Sequence, residues 1–227
     1  MSDPRADHWR KIDSRLTRAC EKAGRERAEV TLLAVSKTWP VEAIRPVVEA
    51  GQVDLGESRF QEAEGKIAEL PSSLRWHFIG HLQRNKVRKV LPLFPVIHSI
   101  SSLKLARYTD RIAGELGLRP QVYLEVNIGA EESKSGFFAD ELRMAMDDLV
   151  ALPNLKIAGL MCLPPQGEGA ETARPWFRQV RELKDELRGL SDLPLPGLSM
   201  GMSGDFEVAV EEGATIVRVG TAIFGQR

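Results

Sequence analysis

The amino-acid sequence predicts an α/β protein, a single (β/α)8 TIM barrel with an extra amino-terminal helix. Short apolar segments alternate regularly with helical segments along all 227 residues, and no linker or low-complexity segment divides them. Eight repeats of this alternation fit a barrel near the short end of its size range, so the predicted domain spans residues 1–227. The alternative is an open doubly wound sheet. That fold suits about six or seven strands better, and no GxGxxG motif follows the first strand.

The predicted strands are short, apolar and rich in residues that favour extended backbone. In chain order they are Val30–Ser36, Val53–Gly56, Trp76–Gly80, Val96–Ile100, Gln121–Val126, Lys156–Cys162, Gly197–Gly201 and Thr215–Val219.

The segments between the strands have helical periodicity or helix-forming composition. An amphipathic segment before the first strand, Arg5–Arg27, predicts the extra helix. Pro40 suits a first helical turn, whereas Gly51, Gly117 and Gly213 suit helix ends. The helices predicted between strands are Val41–Ala50, Arg59–Leu70, Leu82–Leu91, Ser102–Leu116, Ala139–Leu152, Ala170–Leu190 and Phe206–Glu211.

The composition is that of an ordinary globular protein, with 43% hydrophobic and 28% charged residues. A net charge of −1 gives no general attraction to nucleic acid or to an anionic membrane. No apolar segment approaches the roughly 20 residues of a membrane-spanning helix, and no secretory signal is evident. The only cysteines, Cys20 and Cys162, have no metal-type spacing, which favours a reducing cytoplasm.

In a (β/α)8 barrel, phosphate is usually bound by the loops after strands seven and eight. Here those loops are Ser199–Asp205 and Val219–Thr221. Small residues let backbone N–H groups approach an anion, and we expect Ser203 to cap the following helix. For each loop alone, a glycine turn and a serine cap are sufficient explanations. Their coincidence at the usual anion site predicts a phosphate cradle that includes Met202, Ser203, Gly220 and Thr221.

Lys37 follows the first predicted strand, in phase with Leu33 and Val35. If that face points inward, its ammonium lies at the barrel mouth. Partial burial favours the neutral amine of a lysine, which can form a Schiff base. Alternatively, Lys37 extends to the rim or pairs with Glu57 or Glu125. A lysine opposite a phosphate cradle is the combination that an aldehyde-phosphate cofactor needs.

Arg218 lies on the eighth strand in phase with Ile216 and Gly220. An inward arginine stays charged and needs an anion or another acceptor. It could bind phosphate, pair with Glu125, or face the pyridine nitrogen of pyridoxal 5′-phosphate (PLP). The last arrangement predicts a weak electron sink, because PLP enzymes that need a strong one usually pair this nitrogen with an acid.

Seven segments of the chain together resemble the YggS/PROSC family of pyridoxal phosphate homeostasis proteins along nearly the whole length. The most specific are the tryptophan–histidine segment and the Ser-Met-Gly-Met-Ser segment. The segments are Leu33–Thr38, Trp76–Lys86, Val126–Gly129, Ser133–Gly136, Gly159–Met161, Leu198–Ser203 and Val217–Gly225.

The resemblance implies the barrel of alanine racemase without that enzyme's second domain. It implies a Schiff base on Lys37, phosphate bound by Ser203, Gly220 and Thr221, and Arg218 at the pyridine nitrogen. Members of the family are thought to regulate PLP supply and have no accepted catalytic activity. PLP-dependent apoenzymes are then expected recipients. Where the family usually has an asparagine near the cofactor ring, this chain has Ser58, a shorter hydrogen-bonding residue.

Two enzymatic alternatives remain. A PLP-dependent racemase or lyase needs a base, but Tyr108 falls in a predicted helix and Tyr123 within the fifth strand. A sugar-phosphate enzyme needs a carboxylate near the lysine, for which Glu57 and Glu125 are the candidates. We therefore expect a non-enzymatic PLP carrier or buffer, monomeric, and without a metal because the four histidines lack ligand spacing. A second lysine, Lys134, is expected to be an exposed loop residue, although it could receive PLP in transfer.

Overall fold

The computed structural model describes residues 3–131, 134–165 and 167–226. Within them, eight parallel strands close into a barrel in chain order, and the first strand pairs with the last. This confirms the predicted fold. The strands are β1 (Thr31–Val35), β2 (Asp54–Glu57), β3 (Arg75–Phe78), β4 (Val96–Ile100), β5 (Gln121–Val126), β6 (Lys156–Cys162), β7 (Gly197–Ser199) and β8 (Ile216–Val219).

The helices surround the barrel, and α1 is the predicted extra amino-terminal helix. The helices are α1 (Pro4–Lys22), α2 (Val41–Glu49), α3 (Phe60–Glu69), α4 (Val87–Val90), α5 (Leu103–Leu116), α6 (Ala139–Met144), α7 (Met146–Val150), α8 (Arg174–Leu190), α9 (Phe206–Glu211) and α10 (Thr221–Phe224). Single 3-10 turns occur at Arg27–Glu29, Arg84–Lys86 and Ala170–Ala173.

Four helical segments differ from the sequence prediction. The segment predicted over Ala170–Leu190 is a 3-10 turn, Ala170–Ala173, followed by α8. The segment predicted over Leu82–Leu91 is a 3-10 turn followed by the short α4. The segment predicted over Ala139–Leu152 divides at Ala145, whose N–H donates to the carbonyls of both Glu141 and Leu142 and so tightens the turn. The helix α10, directly after β8, was not predicted, because Thr221–Phe224 is too short to show periodicity.

The barrel has two apolar layers. Most buried side chains pack between the strands and the outer helices. A smaller cluster fills the barrel interior, as expected for strands whose alternate residues point inward. Its members are Leu33, Val96, Tyr123, Ala158, Met161 and Ile216, with Ile79 packed against them.

Both cysteines are buried and free of a disulfide. In the described ranges, no helix combines the length and apolarity that a bilayer-spanning segment requires. The same ranges contain no group of three or more histidine, cysteine or carboxylate side chains arranged as metal ligands. Ser133, in the segment Ser133–Gly136 used for the family resemblance, lies outside the described residues.

Candidate functional site at the barrel mouth

A cavity of about 330 Å³ opens at the carboxyl ends of the strands. This is where (β/α)8 barrels build their sites. Its wall consists of residues of β1, β4, β6 and β8 and of the segments that follow β1, β3, β6, β7 and β8. The lining residues are Val35, Lys37, Ile79, His98, Met161, Leu163, Met202, Ser203, Gly204, Arg218, Gly220 and Thr221.

Lys37 lies two residues beyond β1, and its side chain lines the cavity. Leu33 packs in the barrel interior and Val35 lines the same cavity, so the alternation of the strand continues through Lys37. The next residue is anchored, because the Thr38 N–H donates to Glu62 Oε2 at 3.0 Å. Thr38 also has a φ of 67°, which turns the chain sharply away from the strand. The strand and this turn together keep Lys37 at the rim.

The carboxylates considered as partners of Lys37 bond elsewhere. Glu57 is buried on the outward side of β2, where its Oε1 accepts from Lys66 Nζ and Ser36 Oγ, each at 2.7 Å. Burial raises the pKa of Glu57, and the two hydrogen bonds act against that rise. Glu125 Oε1 accepts from Ser135 Oγ at 3.1 Å. Neither carboxylate lines the cavity.

Arg218 is buried in the barrel interior, with part of its side chain on the cavity wall. Its Nη1 donates to the carbonyl and the hydroxyl of Ser199, each at 2.7 Å, and its Nη2 donates to the Cys162 carbonyl at 2.9 Å. Burial lowers the pKa of Arg218 from its usual value. A guanidinium has about five N–H groups, and these bonds use at most three of them. Donor capacity therefore remains for an acceptor in the cavity.

The loops after β7 and β8 meet at Ser203. Its Oγ accepts from the backbone N–H groups of Gly220 at 3.3 Å and Ala222 at 3.4 Å. Two amides thus converge on a single oxygen, which is the arrangement that an anion requires.

The predicted helix cap at Ser203 is wrong. The helix α9 begins after Asp205, whose Oδ1 instead accepts from the Met202 N–H at 2.6 Å. The Ser203 side chain is directed across to the β8 loop, a contact between neighbouring strands that helix-start patterns cannot reveal.

Six of the seven predicted binding residues line this cavity: Lys37, Met202, Ser203, Arg218, Gly220 and Thr221. Ser58 is not in the lining. Its carbonyl lies where a side chain on Gly80 would go, 2.2 Å from the Cβ position, so only glycine fits there.

His98 was not among the predicted binding residues. His98 is fully buried, yet it also lines the cavity. Strand alternation could have identified it, because His98 is two residues after the inward-facing Val96 on β4.

The tyrosines and the cysteine near the barrel do not add a reactive group to the mouth. Tyr108 lies on α5, and Tyr123 lines a separate cavity at the amino-terminal end of the barrel. Burial raises the pKa of the Cys162 thiol to about 12, which disfavours the nucleophilic thiolate.

The family described as alanine racemase, N-terminal domain, matches residues 10–227. A protein of Corynebacterium glutamicum described as alanine racemase superposes with a TM-score of 0.71 at 17% identity, covering 98% of this chain and 61% of that one. That likeness concerns the fold.

Nearer relatives are similar along nearly their whole length. The pyridoxal phosphate homeostasis protein of Aquifex aeolicus is 45% identical over 218 residues, 96% of both chains. That of Pseudomonas aeruginosa is 43% identical over 224 residues, 98% of this chain and 95% of the relative. The structure of PipY from Synechococcus elongatus with PLP bound has a TM-score of 0.81 at 45% identity, covering 87% of this chain and 93% of that one. These similarities confirm the resemblance found in the sequence. The chain belongs to the alanine racemase N-terminal domain family and, within it, to the pyridoxal phosphate homeostasis proteins.

Proposed function

We propose that this protein binds PLP at the barrel mouth as a Schiff base on Lys37 and carries or buffers it without turning over a substrate. One observation carries the proposal. A lysine amine, a convergent pair of backbone amides and a buried guanidinium all adjoin a single cavity of about 330 Å³. The PLP bound to PipY, at 45% identity to this chain, supports the choice of ligand.

The donor groups at the mouth fit a phosphate and an aldehyde. The Gly220 and Ala222 amides meet on the Ser203 hydroxyl, so these donors can hold an anionic oxygen once the Ser203 side chain turns away from them. Thr221 adds a hydroxyl beside them. When bound, PLP supplies an aldehyde for imine formation and a conjugated ring that absorbs visible light. Lys37 would supply the amine for that aldehyde, and imine formation would release water.

The position of Arg218 favours storage of PLP over catalysis with it. In the proposed arrangement its remaining N–H groups donate to the ring nitrogen of the cofactor. Because a guanidinium donates and does not accept, this contact favours an unprotonated nitrogen. The cofactor is then a weak electron sink, unlike the protonated form that strong PLP enzymes use.

The enzymatic alternatives find less support at the mouth. A racemase or lyase needs a base beside the cofactor, whereas Tyr123 is at the other end of the barrel. A sugar-phosphate enzyme needs a carboxylate near Lys37, whereas Glu57 is bonded to Lys66. The relatives from Aquifex aeolicus and Pseudomonas aeruginosa have names that refer to homeostasis rather than to a reaction.

Several finer points belong to the same proposal. Met202 completes the pocket from the β7 loop. Ser58 occupies the sequence position of the family's asparagine, outside the lining of the cavity. The protein is a monomeric single domain over residues 1–227, acts in the cytoplasm, and delivers PLP to PLP-dependent apoenzymes.

Absorption spectroscopy tests the proposal. Wild-type protein incubated with PLP should become yellow, and borohydride should abolish the colour and attach the cofactor to the peptide containing Lys37. Lys37→Ala should form no chromophore, whereas the matched control Lys134→Ala should behave as wild type. A chromophore that survives in Lys37→Ala would refute the assignment of the lysine. Racemisation or rapid turnover of single amino acids by the loaded protein would refute the carrier function.

A further inference from the structure

A continuous series of hydrogen bonds crosses the barrel interior from the mouth to the amino-terminal end. Arg218 Nη1 lies 2.7 Å from Ser199 Oγ, and that oxygen lies 2.7 Å from His98 Nδ1. His98 Nε2 lies 2.9 Å from His77 Nδ1, and His77 Nε2 lies 2.8 Å from Asp54 Oδ1. We call the last four residues the relay: Ser199, His98, His77 and Asp54.

Donor and acceptor chemistry sets one direction for these bonds. The guanidinium of Arg218 only donates, so Ser199 Oγ accepts from it and has its own hydrogen to donate to His98 Nδ1. His98 is then neutral with its hydrogen on Nε2, and donates to His77 Nδ1. His77 in the same tautomer donates to the Asp54 carboxylate. In every bond of the series, the donor is therefore on the Arg218 side and the acceptor is on the Asp54 side.

The burial of His98 and His77 favours the neutral form of both rings. The pKa of His98 lies well below its usual value, because the ring is desolvated and because the charge of Arg218, and any second proton on His77, oppose protonation. Burial also lowers the pKa of His77, against the opposite influence of Asp54. The reverse direction would need a charged His77 and would leave the Ser199 hydrogen to find another acceptor.

The far end of the relay is anchored. Asp54 Oδ1 is 2.7 Å from Arg75 Nε, and both residues line a cavity of about 240 Å³ at the amino-terminal end. The rings are also packed tightly, with the His98 and Tyr123 centroids 4.9 Å apart. In the described part of the chain, no carboxylate forms an ion pair with Arg218 directly.

We propose that the relay positions the Arg218 guanidinium at the cavity wall and links its charge to a carboxylate at the opposite end of the barrel. This inference rests on the proposed function only in the role it gives Arg218 beside the cofactor. Ser199, His98 and His77 are positioning residues, because they act through Arg218. The relay orients the buried cation through hydrogen bonds, in addition to the electrostatic attraction of Asp205 and Glu125.

Nitrogen NMR of the 15N-labelled chain without added PLP tests the direction of the relay. The chain has four histidines, and His8→Gln and His81→Gln remove the two rings outside the relay. At pH 7, His77 and His98 should both appear neutral with hydrogen on Nε2. A charged ring at either position, or hydrogen on Nδ1, would overturn the proposal whether or not the protein binds PLP.

Two matched serine substitutions test the effect on the cofactor site. Ser199→Ala interrupts the relay beside Arg218. Ser99→Ala removes a similarly buried hydroxyl that is adjacent to His98 in the chain and has no hydrogen-bond partner within the described ranges. Ser199→Ala should shift the visible absorption maximum of the PLP-loaded protein and weaken PLP binding by about tenfold, or about 1.4 kcal/mol. Ser99→Ala should match wild type in both measurements.

The outcomes separate the two proposals. If wild type forms the Lys37-dependent chromophore but Ser199→Ala matches Ser99→Ala, the relay has no positioning role and the binding function stands. If wild type forms no chromophore, the binding function fails and the NMR measurement alone decides the relay. Circular dichroism of Ser199→Ala checks that the barrel is intact, and His98→Gln provides a second interruption if it is not.

Discussion

Gly201 shows how one small residue shapes the phosphate loop. Its φ is +90°, and a Cβ there would lie 2.5 Å from Ala209 Cβ and 3.1 Å from Phe206 Cα. Its carbonyl also accepts from the Arg218 N–H at 2.9 Å, which ties the end of β7 to β8. Backbone conformation and close packing thus both require glycine at this position, which leads into the Ser203 loop.

We expect Gly201→Ala to lower the free energy of unfolding by about 2 kcal/mol or more, since a side chain there is both strained and overpacked. The matched control is Gly204→Ala, because nothing lies within 4 Å of its Cβ position. That change should stay within about 0.5 kcal/mol. Urea unfolding followed by circular dichroism measures both, and equal stabilities would contradict the packing argument.

The strand β2 and the helix α3 are joined by a buried ion pair directly behind Lys37. Lys66 Nζ donates to Glu57 Oε1 and to the Ser36 carbonyl at 3.0 Å, so it connects α3 with the ends of both β1 and β2. Glu57 is fully buried, and its Oε2 has no hydrogen-bond partner among the residues that the structure describes. Replacing one member of such a pair destabilises the protein, because the remaining charged group stays buried without a partner of opposite charge.

Lys66→Met should therefore destabilise the protein by about 3–5 kcal/mol. Lys22→Met is the exposed control, since the Lys22 side chain is 72% accessible and pairs with Glu211 at the surface. The free energy of unfolding of Lys22→Met should fall by less than about 1 kcal/mol. Chemical denaturation distinguishes the two, and the double variant Glu57→Leu/Lys66→Met should recover much of the stability. A small effect of Lys66→Met would show that the pair contributes little.

The whole barrel is sensitive to pH because its interior contains two imidazoles that burial keeps neutral. The pKa values of His77 and His98 are lowered in the folded protein, mainly by desolvation. Below the ordinary histidine pKa of about 6.5, the unfolded chain takes up protons that the folded chain does not. Their contribution to stability is therefore present above that pH and is lost as the pH falls. Burial raises the pKa of Glu57 and Glu125, which acts in the opposite direction.

Comparing wild type with His98→Gln isolates one imidazole, since the carboxyl groups are common to both proteins. Between about pH 6.5 and 5, the unfolding free energy of wild type should fall more steeply with decreasing pH. The difference in slope should approach about 1.4 kcal/mol per pH unit, the value for one proton. Denaturant titrations at a series of pH values measure it. Parallel profiles would show that His98 is protonated equally in the folded and unfolded chains.

Local sequence patterns were sufficient to predict the strands, most of the helices and the barrel that they form. Each strand and most helices have a periodicity that depends on neighbouring residues only, and strand alternation alone placed Lys37 and Arg218 in phase with inward residues. Since parallel strands in a closed barrel all end at one face, the Ser203 and Gly220 loops could be assigned to the same site before any contact was known.

The partners of the polar side chains required the folded chain. Ser203 contacts the β8 loop instead of capping a helix, and Glu57 pairs with Lys66 across the outer layer. His98 and Ser199 hydrogen-bond although they are 101 residues apart. Such contacts depend on the stagger of the strands and on which side chains meet inside the barrel. Residue periodicity indicates which face a side chain occupies, but the closure of the barrel determines which residue lies opposite.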